Sequence, residues 1–160
     1  MHFTHLIEIN DPLLPLVDVL SRTQLWRGLV LRAEAPILFV PHLDACDITT
    51  RDARGFSRTL RYGDLIIQDE VMLHPQERIE IRVPAQGEIA ASSLTMTIEE
   101  PQQQALFVRF AYIDAQTTAA DSIDAYYDKF RHSAYQEADI DTIRLIRQMA
   151  QAGRLDSLPS

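Results

Sequence analysis

Apolar residues occupy every second position near the start of the chain, which is typical of a half-buried β-strand. The alternation predicts a strand over roughly Phe3 to Ile9. His5 is the polar exception on its apolar side. This strand is therefore expected to lay one face, including an imidazole, against the protein interior.

A helical spacing of apolar residues follows and predicts a helix from about Arg22 to Ala33. Ser21 is a favourable N-cap, and Gln24 three residues later completes the pattern of a capping box. Pro36 prevents the helix from continuing, because its ring clashes with the preceding turn.

From Asp44 to Asp114 the sequence alternates again and predicts β-strands joined by tight turns. Gly63 and Asp64 suit a two-residue hairpin loop. Counting outward from this loop pairs Tyr62 with Leu65, Leu60 with Ile67, and Arg58 with Asp69, and Val71 continues the same face.

A second hairpin is predicted around a turn at Glu100 to Gln103. The predicted register places Ile98 opposite Leu106, Met96 opposite Val108 and Leu94 opposite Phe110. A slip by one residue would expose both apolar rows, so the faces of these strands are well specified.

The last predicted element is a helix from about Ser122 to Ala152, followed by Gly153 as a residue that ends helices. Its apolar stripe is expected to rest on the one-sided sheet. The residues assigned to this stripe are Tyr127, Phe130, Ala134, Ala138, Leu145, Ile146 and Met149.

A run of strands before one long helix predicts an α+β fold in which a curved antiparallel sheet wraps around the C-terminal helix. Such a sheet rarely fills its interior with its own side chains, so a cavity between sheet and helix is expected. The 160 residues fit one domain over residues 1–155, with residues 156–160 as a short tail.

Composition agrees with a globular protein, since 46% of the residues are hydrophobic and 24% are charged. The net charge of −8 disfavours nucleic acids and anionic membranes as partners.

Cys46 is the single cysteine, so no disulfide is expected within the chain. The chain shows no signal-peptide pattern and no apolar stretch long enough for a membrane span, and we expect a cytoplasmic location.

Four segments carry a resemblance to a known family: QLWRGLVLRAEAP, GDLIIQDEV, SSLTMTIEEP and SAYQEADIDTIRLIR. With these segments the chain resembles the AtaL-like proteins, an uncharacterised family of the SRPBCC superfamily. That superfamily includes START lipid-transfer domains, Bet v 1-like proteins and polyketide cyclases. The resemblance implies the helix-grip fold and an internal cavity, and it assigns no catalytic residues.

The polar residues on the predicted inner face are the first candidates for a site. Arg58 and Asp69 oppose each other among apolar neighbours, and His5, Tyr62 and Tyr112 bring further polar groups to the same surface. The pair is either an ordinary cross-strand ion pair or a device that orients a polar group of a ligand. His5 is either a satisfied core residue or a group that contacts the ligand.

The remaining candidates are apolar residues that could line the cavity or simply form the core. They are Trp26, Leu60, Ile67, Val71, Ile81, Met96, Phe110, Phe130 and Ala134. In this fold the two roles overlap, because the cavity wall is part of the core.

Metal and cofactor signals are weak. His42, Asp44 and Cys46 alternate and only loosely suggest a metal site, since a fourth ligand is missing and Pro41 interrupts the segment. The sequence contains neither a G-x-G-x-x-G nor a G-K-[ST] motif, and no G-x-S-x-G elbow. We therefore predict no cofactor and no metal.

Three functions follow from these observations. The first is a carrier or sensor that binds a small hydrophobic or aromatic metabolite in the cavity. The second is a polyketide cyclase-like enzyme that uses acid–base groups in the same cavity. The third is a protein-interaction module resembling the chaperone cofactors of this superfamily. The sequence decides neither whether catalysis occurs nor which oligomeric state the chain adopts.

Overall fold

The structure of the protein is a computed structural model that describes residues 2–14, 18–114 and 122–156, and between 122 and 128 it gives the side chain of Tyr127 alone. The elements are β1 (His2–Asn10), α1 (Arg22–Glu34), β2 (Ala45–Arg51), β3 (Gly55–Tyr62), β4 (Leu65–His74), β5 (Arg78–Val83), β6 (Ser92–Gln102), β7 (Ala105–Asp114) and α2 (Ser122–Gln151). A short 3₁₀ turn, Pro36–Leu38, follows α1.

The seven strands form one sheet in the order β1-β7-β6-β5-β4-β3-β2, and every pair is antiparallel. Each strand from β2 to β6 pairs with the next along the chain, and β1 forms the edge beside β7. The sheet is curved, and α1 and α2 pack on its concave side. The α+β fold expected from the sequence, with its curved sheet and C-terminal helix, is confirmed.

The hairpin between β3 and β4 has the predicted register. Tyr62 pairs with Leu65, and Arg58 pairs with Asp69. Gly63 adopts a φ of 61°, a left-handed conformation that glycine reaches at little cost. The carboxylate of Asp44 accepts a 2.6 Å hydrogen bond from the backbone nitrogen of Gly63, which ties this turn to the segment before β2.

The predicted register of the β6–β7 hairpin is wrong by two residues. Ile98 pairs with Val108 instead of Leu106, and Met96 pairs with Phe110. The strands extend further than predicted and reverse after Gln102, where a bulge inserts one extra residue. Because the error is two residues, each side chain keeps its predicted face.

Helix α1 begins with the predicted capping box. The backbone nitrogen of Gln24 donates to the Ser21 side chain, and the Gln24 side chain accepts from the Ser21 backbone. Gly28 faces α2, where an added Cβ would lie 2.6 Å from a side-chain carbon of Ile146. The two helices therefore approach each other closely at this point.

Helix α2 is buried along only part of the predicted stripe. Ile146 and Met149 are buried as predicted. The exposed fractions are 59% for Tyr127 and 57% for Phe130, and Ala134 and Ala138 are also exposed. The predicted stripe is thus wrong for the first turns of the helix. Its buried side passes instead through Asp139, Thr142 and Ile143.

Within the described ranges, no helix combines the length and the apolar character that a bilayer span requires.

Candidate functional site

Inward side chains form two rows across the concave face, and the two rows differ in burial. In the first row, His5, Phe110, Met96 and Ile79 pair in register, and the last three are fully buried. In the second row, Phe3, Tyr112, Leu94, Ile81 and Val71 pair in register. Phe3, Tyr112 and Leu94 of the second row are only half-buried.

The same difference continues on β3 and β4, where Tyr62 and Ile67 are half-buried and Leu60 is buried. We call the region of Phe3, Leu94, Tyr112, Tyr62 and Ile67 the open end of the concave face. It is the end that carries the β3–β4 turn and the C-terminus of β7. The opposite end is filled by α1 and the last turns of α2, so apolar surface is accessible from one side.

A polar cluster lies where β1, β7 and α2 meet. Asp139 of α2 is fully buried. The Nε2 atom of His5 lies 2.7 Å from Oδ2 of Asp139, and the hydroxyl of Tyr112 donates at 2.7 Å to the same carboxylate. A buried carboxylate needs such partners, because an unpaired one would be strongly destabilising.

Stacked aromatic rings surround this cluster and hold α2 on the sheet edge. The rings of Tyr112 and Tyr135 stack with centroids 4.0 Å apart and an interplanar angle of 7°. Phe3 and His132 stack at 4.1 Å and 10°. His5 stacks between Phe3 and Phe110. These contacts fix the ring orientations on which the hydrogen bonds to Asp139 depend.

Burial dominates the electrostatics of the cluster. Desolvation raises the pKa of Asp139, although the hydrogen bonds from His5 and Tyr112 and the positive charge of Arg32 lower it in part. Burial also raises the pKa of the Tyr112 hydroxyl, and the negative charge of Asp139 raises it further. Tyr112 is therefore a persistent hydrogen-bond donor, and Asp139 holds its proton more tightly than an exposed aspartate does.

A pH-dependent contribution of Asp139 to stability follows from the direction of its pKa shift. Since the pKa is raised in the folded state, the contribution is complete below the unfolded pKa of about 3.9 and is lost as the pH rises through the folded pKa. The difference in unfolding free energy between wild type and Asp139→Asn should therefore decrease with rising pH. Urea unfolding from pH 4 to 7 measures this difference.

The matched control for this experiment is Asp141→Asn, which removes an exposed carboxylate from the same helix. A difference between wild type and Asp139→Asn that grows with pH would contradict the expectation. It would mean that the hydrogen bonds from His5 and Tyr112 outweigh burial.

Arg58 and Asp69 form a second buried polar group, with exposed fractions of 4% and 5%. Arg58 donates to Asp69 through Nε at 2.8 Å and Nη2 at 2.5 Å, and through Nη1 to the carbonyl of Ala33 at 2.8 Å. All three guanidinium nitrogens donate hydrogen bonds. Arg58 therefore forms a cross-strand ion pair with Asp69 and also binds a backbone carbonyl in the last turn of α1. A role in orienting a ligand stays a prediction.

Trp26 is 1% exposed, and its indole nitrogen has no acceptor among the described residues. A buried N–H without a partner costs roughly 1–3 kcal/mol, which a water or a ligand oxygen could recover. Trp26 therefore remains a ligand-contact candidate, as the sequence suggested.

The residues singled out for a metal site do not form one. Asp44 supports the β3–β4 turn, and Cys46 pairs with Leu60 on the concave face. Throughout residues 2–14, 18–114 and 122–156, no group of three or more His, Cys, Asp or Glu side chains is placed to hold a metal ion.

The predicted site residues thus occupy three regions. Tyr62, Ile67 and Tyr112 lie at the open end; His5, Trp26, Arg58, Leu60, Asp69, Val71, Ile81, Met96 and Phe110 lie deeper; Phe130 and Ala134 lie on exposed turns of α2. Sequence reasoning missed Asp139, Thr142 and Arg32. A signal existed for Asp139, since Tyr135, Asp139, Thr142 and Ile146 recur at helical spacing.

Comparisons with known proteins agree with this architecture. A family model described as "Acetylaranotin biosynthesis cluster protein L" (AtaL) matches residues 7–153. No protein with a curated description matches the chain in sequence.

Similar solved structures include the di-domain aromatase/cyclase StfQ from the steffimycin biosynthetic pathway, with 10% identity and a TM-score of 0.66 over 94% of this chain. The chain spans only about half of StfQ, 51% of its length. The Zhui aromatase/cyclase from Streptomyces sp. R1128 is 13% identical, with a TM-score of 0.60 and coverage of 96% of this chain and 97% of that one.

A START superfamily protein from Mycobacterium smegmatis is 10% identical, with a TM-score of 0.62 and coverage of 92% of this chain and 98% of that one. At these identities the likeness shows the fold alone, which is the helix-grip fold of START, Bet v 1-like and cyclase proteins.

Proposed function

This chain belongs to the AtaL family within the SRPBCC superfamily, and from that membership and the geometry of the concave face we propose that it binds a small hydrophobic or aromatic metabolite. The ligand lies between the sheet and α2 and enters at the open end. The protein acts as a carrier or sensor of this ligand. We propose that it acts in the cytoplasm, the location expected from the sequence.

The observation that supports this proposal is the gradient of burial along the concave face. In the first row of side chains, Met96 and Phe110 are fully buried. At the open end, Leu94 and Ile67 keep part of their apolar surface accessible. Apolar surface lining a concave region favours a hydrophobic ligand, because binding removes that surface from water at about 25 cal/mol per Å².

A thermal-shift screen against aromatic acids, flavonoids, fatty acids and sterols tests the proposal. We expect at least one class to raise the melting temperature saturably, because a ligand that binds only the folded state stabilises it by mass action. Leu94→Trp, which fills the open end, should abolish the shift. Ile66→Trp adds the same ring at a 55% exposed residue on the convex face and should leave the shift unchanged.

Two results would contradict a pocket at the open end. One is the absence of saturable stabilisation by every class in the screen. The other is a shift that survives Leu94→Trp in a variant whose circular dichroism spectrum matches that of the wild type.

A cyclase-like enzyme is the second candidate, and the cluster of His5, Tyr112 and Asp139 favours it. The imidazole of His5 is oriented by its hydrogen bond to Asp139, an arrangement suited to general acid–base catalysis. If the cluster acts on a bound ketone, deuterium from heavy water should enter the methyl group of 2-acetonaphthone faster with wild type than with His5→Gln. Equal rates in the two proteins would remove this candidate.

A further inference from the structure

Arg32 lies in the last turn of α1, on the side that faces α2. Its Nε atom is 3.4 Å from the hydroxyl of Thr142, which is 2% exposed and lies one turn beyond Asp139. One turn earlier on the same side of α1, Gly28 meets Ile146. The side chain of Arg32 is therefore held between the two helices, and it is half-buried.

The guanidinium of Arg32 has no carboxylate in direct contact among the described residues. Among the described residues no carboxylate lies within 4.0 Å of it, and its two terminal nitrogens meet no hydrogen-bond acceptor. Arg58, by contrast, is neutralised by Asp69 and donates hydrogen bonds through all three nitrogens. The positive charge of Arg32 acts on Asp139, but the hydrogen bonds to that carboxylate come from His5 and Tyr112.

The charge of Arg32 reaches both flanks of the concave face. Burial raises the pKa of Tyr62 on β3, and the charges of Arg58 and Arg32 oppose that shift. On the other flank the charge of Arg32 acts on Tyr112 and Asp139. β3 and β7 are separated in the sheet by three strands, and the charge of Arg32 acts on a tyrosine of each.

We propose that Arg32 binds the carboxylate of a hydrophobic or aromatic acid whose apolar body lies at the open end of the concave face. This inference rests on the proposed function and adds the chemical class of its ligand.

Several features favour a carboxylate as the bound group. The planar guanidinium presents its two terminal nitrogens in a fork that matches the two oxygens of a carboxylate. One guanidinium without a carboxylate in contact suits a ligand with one negative charge. The net charge of −8 disfavours a highly charged phosphate ligand. Partial burial strengthens the contact, because the effective dielectric constant is lower there than in water.

Calorimetric titration with 2-naphthoate and its neutral methyl ester tests the inference. For wild type we expect the acid to bind more tightly than the ester. Arg32→Gln should weaken binding of 2-naphthoate by roughly 10- to 100-fold, the range of a lost hydrogen bond to a charged group. The same variant should leave binding of the ester within about twofold, because uncharged contacts are retained.

Arg144→Gln is the matched control, since it removes one positive charge from an exposed site on α2. It should change neither affinity. If the ester binds and Arg32→Gln weakens both probes equally or neither, the carboxylate contact is overturned while the pocket stands. If neither probe binds to wild type, the carboxylate contact is overturned, and the thermal-shift screen decides whether the pocket stands.

A measurement on the wild type tests the inference even if Arg32→Gln does not fold. The carboxyl group of ¹³C-labelled 2-naphthoate can be titrated by NMR in the bound and the free state. A guanidinium partner lowers the pKa of the bound carboxyl below that of the free acid. A bound pKa equal to or above the free one would overturn the contact.

Discussion

Replacement of Asp69 by alanine is expected to lower the free energy of unfolding by about 3–5 kcal/mol, the range found when one partner of a buried ion pair is removed. Arg58 would keep its charge at a site where only 4% of its surface is exposed. Its Nε and Nη2 atoms would lose their acceptors, while the bond to the carbonyl of Ala33 would hold the guanidinium in place. Urea unfolding monitored by circular dichroism measures the loss.

The double variant Arg58→Met/Asp69→Leu separates the energy of the pair from the cost of breaking it. Replacing both charges by apolar side chains of similar volume removes the desolvation cost, so this variant should recover most of the stability lost in Asp69→Ala. A loss below about 1 kcal/mol in Asp69→Ala would contradict the burial of the pair, because that is the range of exposed ion pairs.

Replacement of Gly55 by alanine is expected to cost about 3 kcal/mol or more, at or above the upper end of the range for overpacked sites. A Cβ added at Gly55 would lie 1.9 Å from the carbonyl oxygen of Val71 on β4. No rotamer relieves this clash, because the obstacle is backbone, so the start of β3 would have to move away from β4. The melting temperature and the unfolding free energy should both fall.

Gly63→Ala is the control for that substitution. Gly63 lies in the β3–β4 turn with a φ of 61°, and an added Cβ there meets nothing within 4 Å. The cost should be limited to the backbone strain of about 1–2 kcal/mol for a left-handed residue. Equal losses in the two variants would show that β3 does not approach β4 as closely as the structure places it.

The β3–β4 hairpin could be predicted in register because its turn is local. Gly63 and Asp64 form a two-residue loop, and such a loop fixes every cross-strand pair that follows from it. The pairing of Arg58 with Asp69 follows by counting, and the structure confirms it. What counting cannot supply is the third partner, the carbonyl of Ala33, which reaches Arg58 only through tertiary packing.

The β6–β7 hairpin shows where such counting fails. Its strands contain a bulge between Glu99 and Gln102, and the loop that follows places Gln104 at a φ of 71°. Glutamine at a left-handed position is uncommon, so the sequence carries no signal for that turn. The faces were nevertheless predicted correctly, because burial specifies them independently of the turn.

The candidate site was predictable only in part, since its polar groups come from distant parts of the chain. His5 and Tyr112 were identified because each interrupts or ends an apolar row of a strand. Asp139 was missed because the predicted apolar stripe of α2 was assigned to the face that carries Tyr127, Phe130 and Ala134, which the structure leaves exposed. Two faces of this helix carry apolar residues at helical spacing, and periodicity alone does not decide which one is buried.

Arginines posed the opposite difficulty. The sequence marks Arg58 as a site candidate because it lies on an apolar strand face, whereas Arg32 resembles any charged residue of an amphipathic helix. Burial and hydrogen bonds distinguish the two, because Arg58 is saturated by Asp69 and Ala33 while Arg32 has a single contact to Thr142. Residue type and periodicity do not contain that information.

The hydrogen bond from His5 to Asp139 joins residues 134 positions apart. During synthesis the first strand has no partner until β7 is made, and the carboxylate that receives His5 comes later still. The cluster therefore forms only after the intervening sheet, and docking of the first strand and the last helix is expected to be a late event in folding. A nascent chain truncated before α2 would keep its hairpins but leave the imidazole of His5 without a receiving group.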